Sequence, residues 1–186
     1  MLRRQLLKWG GLIASGSWLA APQVRAAAAL DAAAVEAMRS HWQVLLAAGT
    51  PVIATSPVLT RTNDEWRKLL PADSYSVLFE EDTEPAGSSA LNNEKREGIF
   101  ACRACGLPLF SSAMKFDSGT GWPSFITSIP DHLATKRDFK LIWPRTEYHC
   151  VKCGGHQGHM FDDGPQPTKQ RWCNNGVALS FIPTHA

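Results

Sequence analysis

Apolar residues recur along this chain first with a helical period and then with a strand-like one. Val35, Met38, Trp42, Leu45 and Leu46 fall at three- and four-residue spacings, which predicts a helix over Leu30 to Ala48. Asp31 is placed to cap its start, and Gly49 and Pro51 to close it. Pro51 to Thr60 holds two prolines and reads as a linker. Thr62 to Leu70 has the pattern of a short capped helix. From about Tyr75 onward the period shortens. Gly98 to Ala101, Leu107 to Phe110, Phe139 to Ile142, Thr146 to His149 and Val177 to Phe181 are short apolar runs between clusters of Gly, Pro, Asn and Asp. That alternation predicts a mainly β, antiparallel domain with a few short N-terminal helices. Glu84 to Glu97 is polar and reads as an exposed loop.

Composition narrows the class. The 186 residues are 44% hydrophobic and 19% charged, as in globular chains. The net charge of +2 conceals an asymmetry: Arg3, Arg4, Lys8 and Arg25 precede residue 27 and no acidic residue does. The rest carries 15 Lys and Arg against 17 Asp and Glu, with no basic run of the kind nucleic acid requires. No nucleic-acid partner is expected.

The twin arginine Arg3-Arg4 precedes a modestly apolar stretch from Trp9 to Pro22, followed by small-residue patterns that end at Ala26 or Ala28. This is the form of a twin-arginine export signal over residues 1–28, with a periplasmic or otherwise exported destination and only transient contact with a membrane. Residues 29–59 then form a helical extension and linker, and residues 60–184 the main domain. Export of a folded chain would let metal bind before its thiols meet oxidants.

Five cysteines carry the candidate chemistry. Cys102 with Cys105, and Cys150 with Cys153, form two C-x2-C pairs, each followed by glycine. Four thiolates in two such pairs suit one structural Zn²⁺ with no open position. Two reduced or disulfide-linked pairs are the other reading of the same spacing. The 44 residues between the pairs place much of the domain inside the loop that metal would close. Cys173 is left over, beside Arg171 and shortly after His156, His159 and Asp163. A nearby cation raises the thiolate fraction of a cysteine, and an imidazole can deliver a proton to an oxygen that gains charge. The run Gly119-Thr120-Gly121-Trp122-Pro123 can present an indole to a small apolar group. Each of these residues also has an ordinary structural reading. A hydrolase built on Cys173, His159 and Asp163 would leave the knuckles and Trp122 without a role, and a zinc-ribbon binding module would leave Cys173 without one.

Taken together, residues 98–106, 115–125, 156–165 and 171–175 resemble the B-type methionine sulfoxide reductases, enzymes that reduce the R epimer of methionine sulfoxide (peptide-methionine (R)-S-oxide reductases). The resemblance covers roughly residues 60 to 183. It implies two antiparallel sheets leaning together and a four-cysteine zinc site. It matches Cys173 to the nucleophile, and His156, His159 and Asn175 to the polar groups around the sulfoxide oxygen. Trp122 matches the indole under the substrate methyl, and Asp163 and Arg171 the charged residues that support the thiolate. Oxidised proteins or peptides are the implied substrates, with a thioredoxin-like protein, glutaredoxin or small thiol as reductant and a monomer as the acting species. Several positions depart from the family pattern. Thr120 stands where many members carry a second, resolving cysteine, which implies a one-cysteine cycle. Gln157 and Asn174 replace apolar residues, Gly176 replaces Ser, and Trp172 replaces Tyr or Phe.

Overall fold

The computed structural model describes residues 30–47, 49–138 and 145–184. The expected export signal over residues 1–28, and the strand expected over Phe139 to Ile142, lie outside these residues.

Among the described residues three α-helices come first: α1 (Ala32–Ser40), α2 (Asn63–Leu69) and α3 (Ala72–Glu80). Asp31 caps α1 by accepting the Ala34 N–H at 2.8 Å. The single helix expected to run to Ala48 instead ends at His41, and Trp42–Leu45 forms a 3₁₀ turn. The break turns Trp42 inward, where its ring meets His132 edge-on at 5.6 Å. This segment is held to the domain by Arg39, which donates to the Thr127 hydroxyl, and by Thr184, whose hydroxyl donates to the Leu45 carbonyl.

Thr62 and Glu65 form a reciprocal capping box at the start of α2, as the sequence pattern predicts. Helix α3 corrects the expectation that strand-like structure starts at Tyr75. Tyr75, Leu78 and Phe79 sit at helical spacing, and Tyr75 and Leu78 are buried.

Nine strands follow among the described residues: β1 (Gly98–Cys102), β2 (Pro108–Ser111), β3 (Lys115–Phe116), β4 (Ser124–Phe125), β5 (Leu133–Asp138), β6 (Arg145–Cys150), β7 (His156–Phe161), β8 (Arg171–Asn174) and β9 (Leu179–Pro183). They form two antiparallel sheets, ordered β2-β1-β9 and β3-β4-β8-β7-β6-β5. The expected mainly β, two-sheet fold is therefore the observed one. Val177 and Ala178, expected to open the last strand, belong instead to a 3₁₀ turn before it (Gly176–Ala178).

Aromatic side chains join the sheets. Phe110 from the smaller sheet stacks on Phe125 from the larger at 4.0 Å, and Phe100 meets Phe125 edge-on at 5.1 Å. Tyr148 and Trp172 pack together at 4.9 Å within the larger sheet. All five residues of β1 are buried, which explains why it reads as a continuous apolar run.

Candidate active site and metal centre

Both cysteine pairs lie in hairpin turns, one between β1 and β2 and one between β6 and β7. The turns repeat each other. Gly106 donates to the Cys102 carbonyl and Gly154 to the Cys150 carbonyl, each at 2.8 Å, and both glycines have φ of 74°. That left-handed backbone follows the second cysteine in each knuckle, where glycine takes it without strain. The four sulfurs lie within 4.8 Å of one another, with Cys102 to Cys153 at 3.6 Å and Cys105 to Cys150 at 3.5 Å. A tetrahedral zinc with Zn–S of about 2.3 Å requires edges of about 3.8 Å, so the donor set fits such an ion. The four cysteines are positioned to bind a metal ion that would fasten the smaller sheet to the larger.

Cys173 lies mid-strand in β8. Its neighbour across β7 is His159, and across β4 it is Ser124. At Gly158 a side chain could not fit, because a Cβ would run into the Cys173 carbonyl oxygen. This glycine lets β8 close up beside the histidine. His156 and His159 are three residues apart, which in a regular strand would point them to opposite faces. Between Tyr148 and His149 the register of β6 against β7 slips by one residue. The bulge restores the common side, and the two rings meet with centroids 5.4 Å apart.

A cavity of about 130 Å³ is lined by Cys173, His159, Trp122, Asn175, Arg145 and Phe161 among others. It has room for the end of one side chain. Four of the sequence-derived site residues (Cys173, His159, Asn175 and Trp122) thus line one cavity. His156, Asp163 and Arg171 are not among its lining residues. His156 is 3% exposed, and its Nδ1 lies 2.9 Å from Oε1 of Glu147, a contact too misaligned to be a hydrogen bond. Arg171 is clamped by the Asp163 carboxylate through two hydrogen bonds of 2.7 and 2.8 Å.

Electrostatics refine the expected roles. Burial pushes the Cys173 thiol up, against the opposing pull of the Arg171 cation and of the Thr120 side chain. The cationic neighbour is present as expected, but it only partly offsets desolvation. Burial also lowers the pKa of His156 and His159, opposed by Glu147 at the first and Asp138 at the second. Nε2 of His159 is 2.9 Å from Oδ2 of Asp138. An ionised carboxylate only accepts, so Nε2 carries the proton and Nδ1 is left for a ligand.

Two acidic residues escaped the sequence reading. Asp138 ends the charged run Lys136-Arg137-Asp138 on β5 and also accepts from Arg145 at 2.7 Å. Glu84 opens the segment read as an exposed loop, yet it is buried. Its carboxylate accepts the N–H groups of Gly176 and Val177, its carbonyl accepts the Trp122 indole N–H, and its own N–H donates to Asn175 Oδ1. No local pattern marks either residue, because their partners lie in distant segments.

A half-buried thiol lies beside an imidazole on the neighbouring strand, at an indole-lined cavity and on a four-thiol metal scaffold, the set of groups that cysteine-based redox chemistry would require. The SelR domain pattern matches residues 70–183, and the chain belongs to this family. It is 45% identical over 122 residues to peptide methionine sulfoxide reductase MsrB of Methanosarcina barkeri, covering 65% of this chain and 86% of that protein. The protein of the same name from Pseudomonas putida KT2440 is 44% identical over 126 residues, 67% of this chain and 96% of that protein. Peptide methionine sulfoxide reductase B1, chloroplastic, of Oryza sativa subsp. japonica is 45% identical over 137 residues, 73% of this chain. The match spans 62% of the rice protein's length, less than two thirds. Among solved structures, the Mis18 'Yippee-like' domain aligns with 47% of this chain and 96% of its own at 14% identity and a TM-score of 0.37, too remote to bear on function.

Proposed function

We infer that the protein reduces methionine-R-sulfoxide in proteins and peptides to methionine, with Cys173 as nucleophile in a one-cysteine cycle. Membership of the family makes it a peptide-methionine (R)-S-oxide reductase. The observation that carries the mechanism is the pairing of Cys173 with His159 at the cavity that Trp122 lines.

The thiolate sulfur of Cys173 attacks the sulfoxide sulfur while a proton reaches the sulfoxide oxygen. Thiolate, sulfoxide and one proton give methionine and the sulfenic acid of Cys173. His159 Nδ1, when protonated, supplies that proton, and Asp138 holds the ring in place. Asn175 has its amide fixed by the Gln157 carbonyl and the Glu84 N–H, so it presents a pre-set polar edge. The indole of Trp122 receives the methyl group, which orients the R epimer and rejects the S epimer.

The four remaining cysteines are gathered at the metal site, so an external thiol completes the cycle. One thiol condenses with the sulfenic acid, releasing water and leaving a mixed disulfide. A second thiol attacks that disulfide and restores Cys173. A thioredoxin-like protein, glutaredoxin or small thiol fills this role. The metal is one structural Zn²⁺, the protein acts as a monomer, and it works outside the cytoplasm after twin-arginine export.

The test is turnover of peptides carrying separated R and S methionine sulfoxide, with dithiothreitol, by wild type and Cys173→Ser. R-only reduction that disappears in the variant is the expected result. Equal reduction by the variant, or preference for the S epimer, overturns the reading. Native mass spectrometry then reports whether one zinc is bound.

A further inference from the structure

The positions at which this chain departs from its family pattern include two buried polar ones, and they touch. Gln157 is 0% exposed, and so is Asn174. The Gln157 Nε2 amide donates to the Cys102 sulfur at 3.3 Å, and its Oε1 accepts from Asn174 Nδ2 at 3.3 Å. Asn174 in turn accepts the Tyr148 hydroxyl at 3.0 Å and donates to the Asn175 carbonyl at 2.8 Å. An amide buried alone among apolar side chains would be costly. Here each of the two satisfies the other. The arrangement leads from a metal-ligand sulfur to the residue directly after Cys173, and the Gln157 carbonyl also fixes the backbone and amide of Asn175.

We propose that Gln157 is a positioning residue for the metal site, holding the Cys102 thiolate through an N–H···S hydrogen bond while Asn174 anchors it from the nucleophile-bearing strand. The proposal rests on the zinc reading above. A hydrogen bond to a ligating thiolate takes up part of its charge, orients its lone pairs and makes the sulfur less reactive toward oxidants and competing ligands. The cavity and the metal site are thereby joined by side chains rather than by backbone alone.

Gln157→Leu, Asn174→Leu and the double variant test this, with three readings for each: zinc content by native mass spectrometry, melting temperature, and the rate of zinc release to a chromogenic chelator with and without hydrogen peroxide. Each single change leaves one buried amide without its partner, and a fall of about 5 °C in melting temperature is expected. The double change removes both amides but leaves the Tyr148 hydroxyl without its acceptor, as Asn174→Leu does, so its melting temperature is expected to lie above that of Asn174→Leu and below that of wild type. Zinc release by Gln157→Leu is expected to be about tenfold faster than by wild type. The decisive sample is the double variant. It is expected to release zinc as fast as Gln157→Leu despite its partly recovered stability, because the N–H···S donor is gone.

A double variant that regains stability and also retains zinc like wild type overturns the proposal, leaving the amides as mutual partners only. Single losses that add in the double variant, instead of cancelling, overturn the pairing. A wild type that carries no zinc overturns the zinc reading itself, and the melting temperatures then decide on the amide pair alone.

Discussion

The carbonyl of Glu84 accepts the indole N–H of Trp122 at 3.0 Å, while the N–H of the same residue donates to Asn175 at 3.1 Å. One buried residue therefore sets two walls of the cavity, and its carboxylate caps the turn at residues 176–178. Glu84→Ala orphans the N–H groups of Gly176 and Val177. A loss of about 2–4 kcal/mol in urea unfolding is expected, with kcat/KM falling in parallel. Glu84→Gln keeps an acceptor and loses less of both. Unchanged stability in Glu84→Ala would show that those N–H groups find other partners.

Asp138 sets the tautomer of His159. Asp138→Asn replaces an acceptor-only group by one that can also donate, so the ring no longer has a fixed proton at Nε2. A fall in kcat of about 10²-fold is expected, with a small effect on KM. Steady-state kinetics of R-sulfoxide reduction check it, and a change in KM alone counts against the assignment.

Both imidazoles are held neutral by burial. Below the ordinary histidine pKa of about 6.5, the unfolded chain binds protons that the folded state declines. Their contribution to stability is therefore complete above that value and shrinks as pH falls through and below it. Urea midpoints at pH 7.5 and 5.5 should show lower stability at the acid end. His156→Asn should show a smaller difference.

Cys173 reacts as a thiolate, and burial keeps that form scarce. Alkylation of the free enzyme by iodoacetamide should reach half its maximal rate above the ordinary cysteine pKa of about 8.5. Arg171→Met removes a cation that favours the thiolate, so the half-point moves further up and the rate at pH 7.5 falls. A half-point below the ordinary value would mean that Arg171 outweighs desolvation.

Thr120 opposes the upward shift of the Cys173 thiol, and its side chain is the one that stands where many relatives carry a second cysteine. Thr120→Cys is expected to trap the sulfenic acid as an intramolecular disulfide. Mass spectrometry after one turnover without reductant should show the loss of water in the variant, with Cys173 bridged to the introduced thiol. Wild type should instead hold a persistent sulfenic acid.

Much of this was legible in the chain. Both knuckles, the leftover thiol and the short strands follow from residue type and spacing, because each depends on neighbours close in sequence. The break at His41 did not, since Trp42 turns toward His132, far downstream. Nor did α3, where Tyr75 and Leu78 suit a helix or a strand until their burial is known. In the site, Cys173 and His159 stood out as residue types with chemistry. Glu84 and Asp138 did not, since a carboxylate in a polar run looks solvated until its partners arrive from another strand. Gly176 has a plain reason: the Ser89 hydroxyl sits where its Cβ would be, so a second serine there would collide with the first.

The hydroxyl of Thr184 bonds to the carbonyl of Leu45, 139 residues earlier. On the ribosome, the first helical segment emerges long before β9 and has nothing to dock on in the meantime. Its apolar side, with Val35 and Trp42, stays uncovered until the strands of the smaller sheet have been made and assembled. This early piece must therefore wait, and a chaperone that shields that side during the interval would keep it from joining other chains.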